Sequence, residues 1–192
     1  MTMKPKEPLI FLIAGQARHG KDTISMFIRE YYLRQEKLPE SLQFSYYIKD
    51  FVKRLTDWDG TEETKDQYRS EMQRLGTEIV RKQIDPKFFI KRTIEDIRVY
   101  SYYCDVLTIS DVRFPSEIED IKKEFPRVIS ILVQRPNFES PLSDKEKQHE
   151  TETALNHYNQ YDYVLINDGT ISELKEKVTT MLKEVEKNEF KR

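Results

Sequence analysis

The 192-residue chain has one cysteine, five glycines and three histidines. A single thiol, Cys104, excludes an intramolecular disulfide framework and suits a reducing compartment. It opens an apolar stretch, where a small core residue is expected. The few histidines, with no His-Glu-x-x-His spacing, argue against a zinc centre. Neither a Gly-x-Ser-x-Gly elbow nor a Gly-x-Gly-x-x-Gly fingerprint occurs, so hydrolase and dinucleotide-binding readings lack support. No run approaches the ~20 apolar residues that span a bilayer. The N-terminus lacks the long apolar core and cleavage site of a secretory signal. An excess of one charge is also missing: 32 basic and 34 acidic residues give a formal charge of −2. That balance disfavours a nucleic-acid coat or a membrane-surface binder. Small nucleotides stay open, because they need only a local cationic pocket.

What is present alternates. Pro8 to Ala14 is a continuous apolar run, the pattern of a strand buried on both faces of a parallel sheet. Ile24, Phe27, Ile28 and Tyr31 then recur at helical spacing, up to a break at Leu38-Pro39. Leu42 to Ser45 reads as a short strand and Tyr46 to Leu55 as a helix. A further helix is expected from about Gln67 to Gln83, its apolar face made by Met72, Leu75, Ile79 and Val80. Asp85-Pro86 caps the next helix, which runs to Tyr100. Val106 to Ser110, Val128 to Val133 and Tyr163 to Ile166 are three more strands, with a short helix from Pro115 to Lys123. Asn137 to Gln148 is a polar loop and a candidate lid. Thr151 to Tyr158 looks helical. Thr170 and Glu173 form a capping box for a last helix. The expectation is one domain: a three-layer α/β/α fold on a five-stranded, mostly parallel sheet, with ligands at the carboxyl ends of the strands.

The chemistry gathers first at Gly15-Gln16-Ala17-Arg18-His19-Gly20-Lys21, between the first strand and the first helix. Strand, glycine loop, lysine and helix make a phosphate-binding P-loop: backbone N–H groups and a helix N-terminus wrap a polyphosphate while Lys21 neutralises it. The strict motif places Ser or Thr after the lysine as a magnesium ligand; here Asp22 stands there and Thr23 follows. Phosphoryl transfer needs cations around the migrating group and two substrates held in line. Lys21, Arg18, Arg113 and Arg135 are the candidates, the last two each following a buried strand. Asp111 ends the third long apolar run, where a carboxylate near magnesium is expected, and Asp22 is the second candidate metal ligand. His19 reads as an exposed loop residue and His149 as a helix-start residue. Asp57 to Gly60 contains a switch-like Asp-x-x-Gly but follows a helix and is read as a turn. No Asn-Lys-x-Asp is present, which argues against a GTPase.

Six segments in order add a resemblance: AGQARHGKDT, FSYYIKD (44–50), RLGTEIVR (74–81), ISDVRFPSEIEDI (109–121), HETE (149–152) and VLINDGT (164–170). Together they resemble the phage-type deoxynucleoside monophosphate kinases, relatives of adenylate kinase and dephospho-coenzyme-A kinase. The Gly-Lys-Asp-Thr loop is typical of that family. The resemblance implies transfer of the γ-phosphoryl of ATP, with Mg²⁺, to a deoxynucleoside monophosphate, in the cytoplasm of a bacterial or phage-infected cell. It implies a small-molecule partner, without nucleic acid or membrane, and allows a homodimer. It assigns the ATP phosphates to Gly15–Thr23, with Gly20 and His19 among them, and places Asn167, Asp168 and Gly169 beside the adenine. Lys49, Glu78 and Arg81 would face the acceptor in a helical region at about 46–103, with Glu117, His149 and Glu152 nearby. Asp111 and Arg113 would lie at the transfer point, and a short lid at about 136–148. Ser116 and Thr151 depart from the family's usual Asn and Ser. A kinase of another phosphorylated acceptor, such as dephospho-coenzyme A, and a non-catalytic nucleotide switch remain as alternatives.

Overall fold

The computed structural model describes residues 4–61, 63–139 and 142–189. Five strands form the sheet: β1 (Leu9–Ala14), β2 (Pro39–Leu42), β3 (Val106–Val112), β4 (Val128–Gln134) and β5 (Tyr163–Ile166). Their order is β2-β3-β1-β4-β5, and every pairing is parallel. Parallel strands need crossovers, and the helices that supply them cover both faces, which is why LIFLIA is buried throughout. Helices α1 (Lys21–Leu33) and α8 (Ile171–Glu189) pack on one face against Phe11, Ile13, Ile131, Val133 and Leu165. Helices α4 (Phe88–Tyr100) and α5 (Pro115–Glu124) pack on the other, against Ile10, Leu12, Leu107 and Ile109. Each fully buried Ile, Leu or Phe in these layers contributes roughly 1.5–3 kcal/mol.

The middle of the chain builds a third, smaller core outside the sheet. Helix α2 (Tyr46–Leu55) meets a helical arm through Ile48, Val52, Trp58, Val80 and Phe89. That arm departs from the single helix expected over 67–83. It has a 3₁₀ turn at Lys65–Tyr68, a short α3 (Arg69–Gln73) and a π-helical stretch from Arg74 to Ile84. Of the expected apolar face, only Val80 is fully buried.

Other boundaries also move. The second strand lies at Pro39–Leu42 rather than 42–45, because its ladder with β3 stops at Leu42↔Ile109. Helix α4 starts at Phe88: the side chain of Asp85 accepts the N–H of Lys87 and its carbonyl that of Phe88, so Asp85-Pro86 is a turn before the helix. The polar loop after β4 contains a one-turn helix, α6 (Asp144–Lys147), capped reciprocally by Ser143 and Glu146. The helix expected at 151–158 is only α7 (Glu150–Thr153); beyond it Leu155, Tyr158 and Tyr161 turn back onto the sheet core. Positions 140 and 141 of the expected lid lie outside the described residues. The capping box at Thr170 and Glu173 forms as expected.

One irregularity in the sheet positions the site. Between Leu12↔Ile109 and Ala14↔Val112, β3 advances by one residue more than β1. The extra residue lies at Ser110-Asp111, and such a bulge re-aims the side chains it carries. Ser110 bonds toward α1 and Asp111 toward α2.

Candidate active site

The loop after β1 is held open by its own backbone and by the strands beyond it. Gly15 has φ +149° and a Cβ there would stand 2.6 Å from the Val133 carbonyl oxygen, so only glycine lets the loop lie against β4. Gly20 has φ +99° and acts as the N-cap of α1 without a side-chain cap. The N–H groups of the first turn of α1 are thereby left for a ligand. Asn167 braces the loop from β5, its Nδ2 donating to the His19 carbonyl at 3.0 Å.

Lys21, 8 % exposed, folds back so that Nζ donates to the Gln16 carbonyl at 2.8 Å. Burial, helped by the nearby Arg113 cation, lowers its pKa to about 7, against the opposing pull of Asp22, Glu152 and Asp111. His19 is buried rather than exposed, a correction to the loop reading: Nδ1 lies 3.3 Å from the Val133 carbonyl and its ring meets Phe138 edge-on. Burial holds His19 below the usual histidine range, and Lys21 and Arg135 add to the effect. Arg135 stacks on Phe138 with 4.5 Å between guanidinium and ring centroid. Arg18, in the left-handed region at φ 60°, reaches out to Asp66 at 3.4 Å.

The carboxylates divide their work. Asp22 lines a cleft of about 640 Å³ with Lys21, Asp111 and Arg113, and Oδ1 accepts the Ser110 hydroxyl at 2.6 Å. Asp111 accepts the N–H groups of Phe44 and Ser45 at 3.0 and 2.8 Å, pinning the start of α2 to the end of β3. Glu117, 1 % exposed, accepts from the N–H groups of Arg113 and Phe114 and from Arg81 Nη2 at 3.1 Å. Burial raises its pKa to about 7, against the opposing pull of Arg81 and the two N–H donors. Glu117 therefore orients Arg81 and the turn after β3. Among the described residues no cluster of three or more His, Cys, Asp or Glu could hold a metal.

Arg81 is the most constrained cation of the group. It lies between the rings of Phe89 and Phe114, 4.8 and 4.6 Å from their centroids, and also donates to the Gly76 carbonyl. It lines a cavity of about 180 Å³ with Lys49, Arg69, Asp111, Arg113 and Glu152. Lys49 bonds Gln43 across the mouth at 2.9 Å. Glu152 joins two guanidinium groups, Arg113 at 2.9 Å and Arg69 at 3.3 Å. Arg113 borders this cavity, the Asp22 cleft and a third cleft of about 620 Å³ beside Gly15, His19 and Arg135.

Not every expected residue arrives. Glu78 turns outward and pairs with Lys82 at 2.9 Å, one turn along the helix, so it lines none of these clefts. Asp168 pairs with Lys177, and Gly169 lies against Glu173 at the start of α8. Of the 167–169 turn only Asn167 touches the phosphate loop. His149 is the N-cap of α7, its Nδ1 accepting from the Thr151 N–H, and lines none of the three clefts. Arg69 was absent from the sequence expectations. It sits outside every recognisable motif, and its signal was only its place one turn before RLGTEIVR.

The comparisons with known proteins fit this geometry. Residues 50–178, more than half the chain, match the family model described as deoxynucleotide monophosphate kinase. The chain belongs to that family. It is an ATP-using phosphotransferase acting on a deoxynucleoside monophosphate. The match starts after the phosphate loop, so the loop is an independent observation. Among solved structures, the APS kinase of Mycobacterium tuberculosis in complex with AMPPNP and APS is 13% identical. It covers 93% of this chain and 99% of its own, with a TM-score of 0.57. A cysteine-to-alanine variant of that enzyme, 11% identical, covers the same shares at 0.53. At such identities the likeness shows the fold, a P-loop kinase α/β sheet. No helix among the described residues is long and apolar enough to cross a membrane.

Proposed function

We propose that Gly15–Thr23 holds the phosphates of ATP and that the cavity between α2 and the π-helical stretch holds the acceptor monophosphate. The helical region at about 46–103 is then the acceptor arm of a single domain, and residues 136–148 a short lid. The observation that carries this reading is the position of Arg113, which borders the phosphate-loop clefts and the acceptor cavity alike. A guanidinium at the junction of two anion sites can bridge the phosphate that leaves and the phosphate that attacks.

An oxygen of the acceptor's monophosphate attacks the γ-phosphorus of ATP, the bond to the β,γ-bridging oxygen breaks, and ADP leaves. The attacking oxygen carries no proton, so the chain need only position and neutralise. Lys21 and the loop N–H groups take the donor side, and Arg135 flanks it. Lys49, Arg69 and Arg81 take the acceptor side, with Glu117 locking Arg81. Asn167 keeps the loop in shape through its bond to the His19 carbonyl.

The donor atoms around Asp22 fit magnesium. They are hard oxygens: the free Asp22 oxygen, the Ser110 hydroxyl and the remaining lone pairs of Asp111. Magnesium takes one or two carboxylates and fills the rest with phosphate and water, so a larger carboxylate cluster is not required. When bound, it neutralises and orients the donor phosphates. The balanced net charge fits a small-molecule partner rather than a nucleic acid, and we place the enzyme in the cytoplasm with its nucleotide substrates.

The test is a coupled assay with ATP and magnesium against all common deoxy- and ribonucleoside monophosphates and dephospho-coenzyme A. Turnover of at least one deoxynucleoside monophosphate, with kcat reduced in Arg113→Ala while the protein stays folded, is the expected result. Undiminished turnover in that variant removes Arg113 from the transfer point.

A further inference from the structure

The acceptor cavity has a mixed lining. Arg69, Arg81 and Arg113 supply donors only, which suits a phosphate. Ile48 and Met72 add apolar wall, and Gln73 and Thr77 add uncharged polar groups. Thr77 is 2 % exposed, and its Oγ1 finds no hydrogen-bond partner. Gln73 makes no side-chain hydrogen bond among the described residues.

An unpartnered buried hydroxyl is unfavourable, and a threonine inside a helix ordinarily avoids it by bonding the carbonyl four residues back. Thr77 lies in the π-helical stretch Arg74–Ile84, where backbone bonds run to the fifth residue. The wider winding leaves the Thr77 hydroxyl unused. Gln73 and Thr77 are four residues apart and line the same cavity, so carboxamide and hydroxyl together present both donors and acceptors. A phosphate needs donors alone. A flat heterocycle with an apolar face and an edge of alternating donors and acceptors needs this mixture.

We propose that the Thr77 hydroxyl and the Gln73 carboxamide read the hydrogen-bonding edge of the acceptor's base, and so determine which deoxynucleoside monophosphate is accepted. The inference rests on the reading that this cavity holds the acceptor. Thr77 then does nothing for the fold that its methyl group does not already do. Its hydroxyl is kept for the ligand.

Binding of each deoxynucleoside monophosphate and of 2-deoxyribose 5-phosphate, which has no base, is measured for the wild type, Thr77→Val, Thr77→Ser and Gln73→Leu, with thermal melts of each. Thr77→Val should weaken the preferred nucleotide by about tenfold to a hundredfold. It should leave 2-deoxyribose 5-phosphate and the KM for ATP unchanged, and melt at or above the wild-type temperature. Thr77→Ser should keep the preference, and Gln73→Leu should flatten the ranking of bases. Equal losses for every ligand including the baseless sugar phosphate, or no loss at all, overturn the proposal. A Thr77→Val protein that melts well below wild type does so too, because the hydroxyl would then have a structural partner. If the wild type binds neither nucleotides nor the sugar phosphate competitively with each other, the acceptor cavity itself has been misplaced.

Discussion

The phosphate loop and the cavity facing it are made by opposite means. The loop is backbone: two glycines at positive φ, an uncapped helix start, and braces from Val133 and Asn167 on neighbouring strands. The cavity is side chains tied to side chains, with Arg81 between two rings and on Glu117, and Glu152 joining Arg69 to Arg113. Backbone can present N–H groups to any polyphosphate but cannot tell one base from another. A wall of side chains can discriminate, at the cost of keeping several charges desolvated until a ligand arrives.

The contrast is broken most severely at Lys21. Lys21→Ala should lower turnover by roughly a thousandfold while the thermal melt nearly holds, since the fold loses one hydrogen bond to the Gln16 carbonyl and sheds a desolvated amine. A melt that collapses together with activity would make Lys21 a structural residue. On the other side, Arg81→Ala should show mainly as instability. Removing it leaves the buried Glu117 without its cation, an effect of about 3 kcal/mol or a melting point lower by roughly 10 °C. A melt unchanged in Arg81→Ala would mean that the N–H donors of Arg113 and Phe114 suffice for Glu117.

Protons sharpen the comparison further. With its pKa lowered to about 7, Lys21 is largely neutral in the free protein at pH 8, and a bound polyphosphate favours the ammonium form. ATP binding should therefore take up protons at pH 8, and affinity should fall as pH rises above 7, by at most about tenfold per unit. Calorimetry in buffers of different ionisation enthalpy measures the uptake, and none at pH 8 would contradict the burial of Lys21. The same lowered pKa makes stability rise with pH between about 7 and the unfolded lysine's value, because there the unfolded chain binds the extra proton. The smallest effect is expected at Glu78→Ala, outside the cavity. Activity should stay at the wild-type level and stability within about 0.5 kcal/mol.

The sequence spoke clearly wherever the signal was local. LIFLIA, the glycine loop and the Thr170 box all follow from rules that act within a few residues and stand where expected, and the strands expected at 106–110 and 128–133 run on by two residues and one. The helical arm at 65–84 does not obey such rules. Its winding is π-helical from Arg74 onward, and within that stretch Arg81 reaches across to Phe114 and Glu117, from another part of the chain. RLGTEIVR identified the segment but not which residues turn inward; Thr77 and Arg81 do, while Glu78 and Lys82 pair outside. That split was readable in principle, since a Glu and a Lys four apart on a helix commonly bond each other. Arg69 was not readable, because Asp66 is its one near partner and the two that hold it at the cavity, Glu146 and Glu152, lie far along the chain. His19 looked exposed because nothing nearby shows that β4 and Phe138 cover it.

The central place of β1 in the sheet has a consequence for how the molecule is born. Leu9 waits for Val106 and Ile10 for Val128, so the first of the five strands to be translated has neither edge filled until β3 has been made, and its second edge stays open until β4 has been made. Until β4 has cleared the exit tunnel, the nascent chain carries six consecutive apolar residues with an open edge, a feature that invites chaperones or wrong partners. Because its glycines lean on Val133 and Asn167, the phosphate loop, although translated early, takes its shape only near the end of synthesis.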